Sequence, residues 1–176
     1  MSEIRINSQV QALLVDSFNR IRKQVVDLTT GLTLDVAEYR PDADANSIAW
    51  LLWHLSRIQD DHLAGAAGIR QVWSEEGWHR RFGLPFDVFA TGYGQSSHEV
   101  GLVRVSGEQL DGYHADVHDA TMRYLARVDD EELARVVDDS WDPPVTAAVR
   151  LVSVIGDCNQ HLGQAAYIRG LVQRRG

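Results

Sequence analysis

Apolar residues recur at helical spacing along four stretches of the chain. In the first, Val10, Leu14, Phe18, Ile21, Val25 and Leu28 follow at intervals of four or three and form one stripe that ends before Gly31. The second opens at Asn46-Ser47, side chains that cap helix N-termini, and runs through Ile48, Leu51, Leu52, Leu55 and Ile58 to the small residues at 64–68. The third carries Leu110, His114, Val117, Thr121, Tyr124 and Val128, with an acidic turn from Asp129 to Glu132 beyond it. The fourth is predicted to follow Asp142-Pro143-Pro144, because proline is at home in the first turn of a helix. It continues through Leu151, Val154, Ile155, Cys158, Leu162, Ala165, Ile168 and Leu171 to the basic end Arg174-Arg175, where cations complement the helix dipole.

No period-two alternation of comparable length competes with these stripes. The pattern predicts an all-α protein, a four-helix bundle, with residues 1–176 forming one domain. Residues 69–105, between the second and third helices, break the pattern. They hold Trp73, Trp78, Phe82, Phe86, Phe89 and Tyr93 among scattered glycines. A connection this long and aromatic is expected to be a lid, a pocket wall or a partner surface.

Composition narrows the function more than the fold. Seventeen basic against 25 acidic residues leave a net charge of −8, which disfavours phosphate backbones and anionic membrane surfaces as partners. Lys23 is the one lysine and every other basic residue is arginine, which fits a high-GC coding bias. A single cysteine, Cys158, excludes an intrachain disulfide and a cysteine-rich zinc site. Its place inside an apolar stripe reads as a small core residue rather than a nucleophile. The opening Met-Ser-Glu-Ile-Arg lacks the apolar core of a signal peptide, and no apolar run approaches a membrane span. The expected location is cytoplasmic.

The chemistry is expected on the helices. Asp157 and His161 are four apart, so they share a helix face about 6 Å apart along the axis, within reach of one divalent ion. His54 lies on the apolar stripe of the second helix, three after Leu51 and four before Ile58. An imidazole buried there costs a few kcal/mol, roughly, unless its nitrogens are satisfied, and a buried carboxylate needs a cation or several donors. A metal ion meets all three demands, and three protein ligands leave an open coordination position. The rivals are less suited. His114 and His118 are four apart, but His118 falls towards a polar edge among Asp116, Asp119 and Arg123. His62, eight residues after His54, is too far along the helix to share its ion, and with Asp60-Asp61 it reads as a polar face or pocket mouth. His79 and His98 fall in the irregular region with nothing to distinguish them. There is no glycine-rich phosphate loop, nucleophile elbow, His-Glu-x-x-His or paired Glu-x-x-His set, so the site is read as mononuclear.

Taken in order, Ser47-Ile48-Ala49-Trp50-Leu51-Leu52-Trp53-His54-Leu55, Trp141-Asp142-Pro143-Pro144 and Asp157-x-x-x-His161-x-Gly163-Gln164 resemble the DinB-like superfamily, and more narrowly its actinobacterial mycothiol-dependent branch. The resemblance spans nearly the whole chain. It implies an up-down-down-up four-helix bundle holding one divalent metal, with His54 as the lone ligand and Asp157 with His161 as the pair. Many members carry His at the position of Asp157, and the related mycothiol-dependent maleylpyruvate isomerase carries Glu, so Asp157 is the least typical of the three. That isomerase also has a further C-terminal domain, so the expectation here is transferase rather than isomerase activity.

The activity so implied is thiol S-transfer. The metal lowers the pKa of a low-molecular-weight thiol, which then attacks an electrophile, with detoxification as the setting. Mycothiol is favoured because the composition resembles that of a high-GC actinobacterium. Two imidazoles and a carboxylate suit zinc best, with nickel, iron or manganese able to occupy the same set. Gln164, His114 and Tyr93 are the candidates for supporting the ligands or touching substrate, and no residue is assigned as catalytic. Gly163 is read as permitting close helix approach. The expected partners are a small thiol and an electrophile, with neither nucleic acid nor membrane, and a homodimer is a further option. A metal-dependent hydrolase and a non-enzymatic stress-related binding bundle are the alternatives.

Overall fold

The computed structural model describes residues 8–175. Four long helices form the body: α1 (Gln9–Thr29), α3 (Ile48–Ala67), α7 (Gly107–Leu125) and α9 (Ala147–Gln173). Short helices sit in the connections: α2 (Leu34–Glu38), α4 (Val72–Glu75), α5 (Trp78–Phe82), α6 (Ser97–Val100) and α8 (Asp130–Ala134). A two-stranded antiparallel hairpin, β1 (Val136–Asp138) with β2 (Val145–Thr146), leads into α9.

Contacts between helices show how they run. The amide of Gln11, at the start of α1, donates to the Leu125 carbonyl at the end of α7, and Arg22 pairs with Asp111 near the start of α7. These two helices are therefore antiparallel. Cys158 lies against Leu55 and Gln59, while the later Arg169, near the C-terminal end of α9, donates to the carbonyls at the end of α1. Gln59 bonds Thr121, and Tyr113 bonds Asp60, which places α7 alongside α3. Each of α1 and α3 thus packs against both α7 and α9.

The predicted stripes become the core. Leu14, Phe18, Ile21, Val25 and Leu28 of α1 are buried, but Val10 is 46% exposed, because that turn is held instead by the buried Gln11. Side-chain caps define the starts. Ser47 accepts from the Trp50 amide, Ser106 and Gln109 form a reciprocal capping box, and Thr146 caps α9. The last of these corrects the predicted start of the fourth helix. Pro143 and Pro144 lie in the hairpin turn, because Thr146 offers a hydroxyl acceptor that neither proline can supply. The acidic turn also differs: Asp129 caps α8.

The aromatic connection is largely a second layer of core. Trp73 meets Phe82 and Tyr113 with ring centroids 5.0 Å apart in each case, and Trp53 meets Phe86 at 5.7 Å. Such pairs contribute about 0.5–1.5 kcal/mol each beyond their burial. Trp78 donates from its indole to Asp116 and lies so close to Gly112 that a Cβ there would come within 2.7 Å of the ring. The segment therefore clads α3 and α7, and only Phe89 and Tyr93 project from it as exposed large aromatics.

Candidate metal centre

His54 lies on α3 and Asp157 and His161 on α9, and the antiparallel packing of these helices brings the three together. One ligand atom from each lies within 4.8 Å of the others. His54 is nearly buried, at 6% exposure, whereas the side chains of Asp157 and His161 keep 31% and 16% of theirs. The group therefore sits at the partly exposed edge of the α3–α9 contact and can be reached from solvent.

Hydrogen bonds set which nitrogen each imidazole offers. The Nδ1–H of His54 donates to the Thr91 carbonyl at 2.6 Å. A carbonyl only accepts, so the proton is on Nδ1 and the Nε2 lone pair is free. His161 repeats the arrangement: its Nδ1 lies 3.0 Å from Oε1 of Gln164, and its Nε2 lies 3.5 Å from Asp157 Oδ1. Trp50 stacks on His54 with centroids 4.6 Å apart and meets His161 edge-on, and its own indole N–H is held by Gln95. Ligand, acceptor and packing ring are thus all fixed.

Electrostatics divides the two histidines. Burial lowers the pKa of His54, and His161 adds to the effect, while Thr91 and Asp157 oppose it. Burial also pulls His161 down, but its bonds to Asp157 and Gln164 outweigh that and leave its pKa raised. The lowered pKa leaves His54 a neutral nitrogen, whereas at His161 a cation competes with the proton that Asp157 draws there. Asp157 Oδ2 is buried without a hydrogen-bond partner. A buried carboxylate oxygen left bare is costly, and a divalent ion removes the cost. Two imidazoles and a carboxylate are an established donor set for such an ion, so the residues fit it.

The other sequence candidates lie elsewhere or play other parts. Gln164 touches His161 directly. Tyr93 is 92% exposed and its side chain makes no described contact with the three ligands; its neighbour Gly92, rather than the tyrosine, packs against His54. His114 is fully buried in α7 beside His118, with both ring nitrogens unpartnered, and is outside the cluster. His62 lines a separate cleft of about 560 Å³ with Asp61, Asp138, Trp141 and Arg150. His79 bonds the Trp73 carbonyl, a structural contact. Sequence reasoning missed Thr91 and Gln95, and it included Trp50 in the helix-two pattern without giving it a role. The glycine at 92 was the one visible sign that the chain passes close to something there.

The fold and this cluster define a helical bundle with a histidine–aspartate–histidine group able to hold a metal ion. The model of the DinB superfamily matches residues 17–165, and the chain belongs to that superfamily. It is also similar to the crystal structure of a conserved protein from Enterococcus faecalis. The two share 30% identity over 94% of this chain and 98% of that one, with a TM-score of 0.86. No curated protein matches the chain.

Proposed function

We propose that the protein is a metal-dependent thiol S-transferase. The convergence of His54, Asp157 and His161 between α3 and α9 carries the reading, together with the bare Asp157 oxygen. Zinc is the ion best suited to these donors. When bound, it supplies Lewis acidity that lowers the pKa of a thiol in the remaining coordination position.

The chain's own groups do the rest. Thr91 and Gln164 hold the two imidazoles with Nε2 presented. The Trp50 ring covers one face of His54 and keeps water from it. Asp157 and Gln164 make the His161 ring more basic, so a cation held there would compete with a proton. The reaction class is transfer of the thiol sulfur to an electrophilic carbon: the S–H proton leaves, an S–C bond forms and the leaving group departs. Mycothiol is the proposed thiol, on the arginine-for-lysine composition and the sequence resemblance. The net charge of −8 favours a small molecule over nucleic acid as partner.

Metal analysis of the purified protein and of His54→Ala, followed by electrophile turnover with and without several small thiols, tests the proposal. Stoichiometric metal in the parent, its loss in the variant and strictly thiol-dependent turnover are expected. Retention of metal by His54→Ala refutes the ligand set. Thiol-independent turnover identifies a hydrolase instead.

A further inference from the structure

Arg57 is fully buried, one turn beyond His54 on the same face of α3. Its Nε–H donates to the Ala90 carbonyl at 3.1 Å. Its Nη1 lies 3.3 Å from the Tyr113 hydroxyl and 3.5 Å from Asp60 Oδ2, and the guanidinium carbon stands 5.1 Å from the centroid of the Trp73 ring. Asp60 in turn accepts from the backbone amides of Val72 and Trp73 and from the Tyr113 hydroxyl. A charge buried this deeply needs a reason beyond stability, since well-packed apolar residues usually do as well.

That reason is found in the next two residues of the segment. Arg57 holds Ala90, the Thr91 carbonyl accepts from the His54 Nδ1–H, and Gly92 passes close to the Nδ1 atom of the same ring. Gly92 has φ +98°, and a Cβ there would come within 2.8 Å of His54 Nδ1, 3.0 Å of the Trp53 ring and 3.2 Å of the Trp50 ring. Three consecutive residues are therefore set against α3, one by a buried arginine, one by the imidazole and one by the absence of a side chain.

We propose that Arg57 and Gly92 are positioning residues for His54: they hold the 90–92 strap at the height where the Thr91 carbonyl keeps the ring proton on Nδ1 and Nε2 faces Asp157 and His161. Free imidazole carries no such constraint, so loosening the strap lets the proton move to Nε2 and block the ligating atom. The inference rests on the metal reading for its consequence, but the tautomer is a property of the metal-free protein.

Two variants test it in the full-length chain. Arg57→Met removes the guanidinium and leaves Asp60 its three neutral donors, whereas Gly92→Ala lifts the strap from outside the buried network. Histidine-selective nitrogen NMR on metal-free protein reads the tautomers, and calorimetric zinc titration reads affinity. Both variants are expected to convert His54 from the Nδ1–H form to a mixture and to weaken zinc binding about 10–100-fold. The nitrogen shifts of His161, whose ring faces Gln164 and Asp157 rather than the strap, stay at their parental values, which general loss of packing would not spare. A folded Arg57→Met or Gly92→Ala protein with the parental His54 tautomer and affinity overturns the proposal. If Arg57→Met does not fold, Gly92→Ala decides the strap alone. If the parent binds no metal, the proposed function falls, and the metal-free tautomer comparison still decides the positioning role.

Discussion

His114 is the buried group whose titration should dominate acid sensitivity. It is fully enclosed in α7, and neither ring nitrogen has a hydrogen-bond partner. Burial, then Arg22, then His118 drive its pKa well below that of a free imidazole. Arg22 is itself paired with Asp111, and burial and Arg22 lower the pKa of the neighbouring His118 while Asp119 opposes them, so this part of the bundle mixes signs. In the unfolded chain the ring titrates near 6.5, roughly. Below that pH the unfolded state takes a proton that the native state refuses, so stability falls as pH falls. The slope approaches about 1.4 kcal/mol per pH unit for each such group and vanishes well above the unfolded value. His54, His62 and His118 are depressed in the same direction and His161 is raised in the opposite one, so removing His114 should reduce the slope without abolishing it. His114→Phe keeps a ring of similar size and removes two bare nitrogens; apolar replacement of unpaired polar groups is neutral or stabilising. Urea unfolding at several pH values between 5 and 8, with chelator present to exclude metal linkage, measures the effect. The variant should match or exceed the parent at pH 8 and lose up to one proton from the acid slope. An unchanged slope between pH 5 and 6.5 would show that His114 is not buried neutral and would refute the reasoning.

Gln164→Ala removes the acceptor that holds His161 Nδ1–H, and zinc affinity measured by competition with a chromophoric chelator should fall about tenfold or more. Cys158 is fully buried, and burial pushes its thiol pKa far up, so iodoacetamide at pH 7.5 should leave the native protein unmodified and label it only in denaturant, as read by intact mass. Ser47→Ala deletes the cap of the helix that carries His54; thermal and urea melts should show a loss of about 1 kcal/mol, with metal stoichiometry preserved.

Periodicity alone determined the bundle. Phe18, Ile21, Leu51, Val117 and Val154 are buried because each helix has a single face to hide, and that face can be read from spacing without knowledge of its partner. Pairing Asp157 with His161 was likewise legible, since four residues on one helix have a set geometry. Adding His54 required only the judgement that an imidazole on an apolar stripe wants a partner. Boundaries were less legible: the prolines at 143–144 carry a helix-start signal that Thr146 overrides. The tertiary structure decided everything that depends on two elements meeting. It packed most of the aromatic connection as core, placed His114 away from the cluster and left Tyr93 exposed. It also brought Thr91, a residue with no distinguishing sequence context, onto His54 across 37 positions of chain. That contact is made by a backbone carbonyl, which every residue possesses. Only the path of the chain, held by Arg57 and admitted by Gly92, gives it a role.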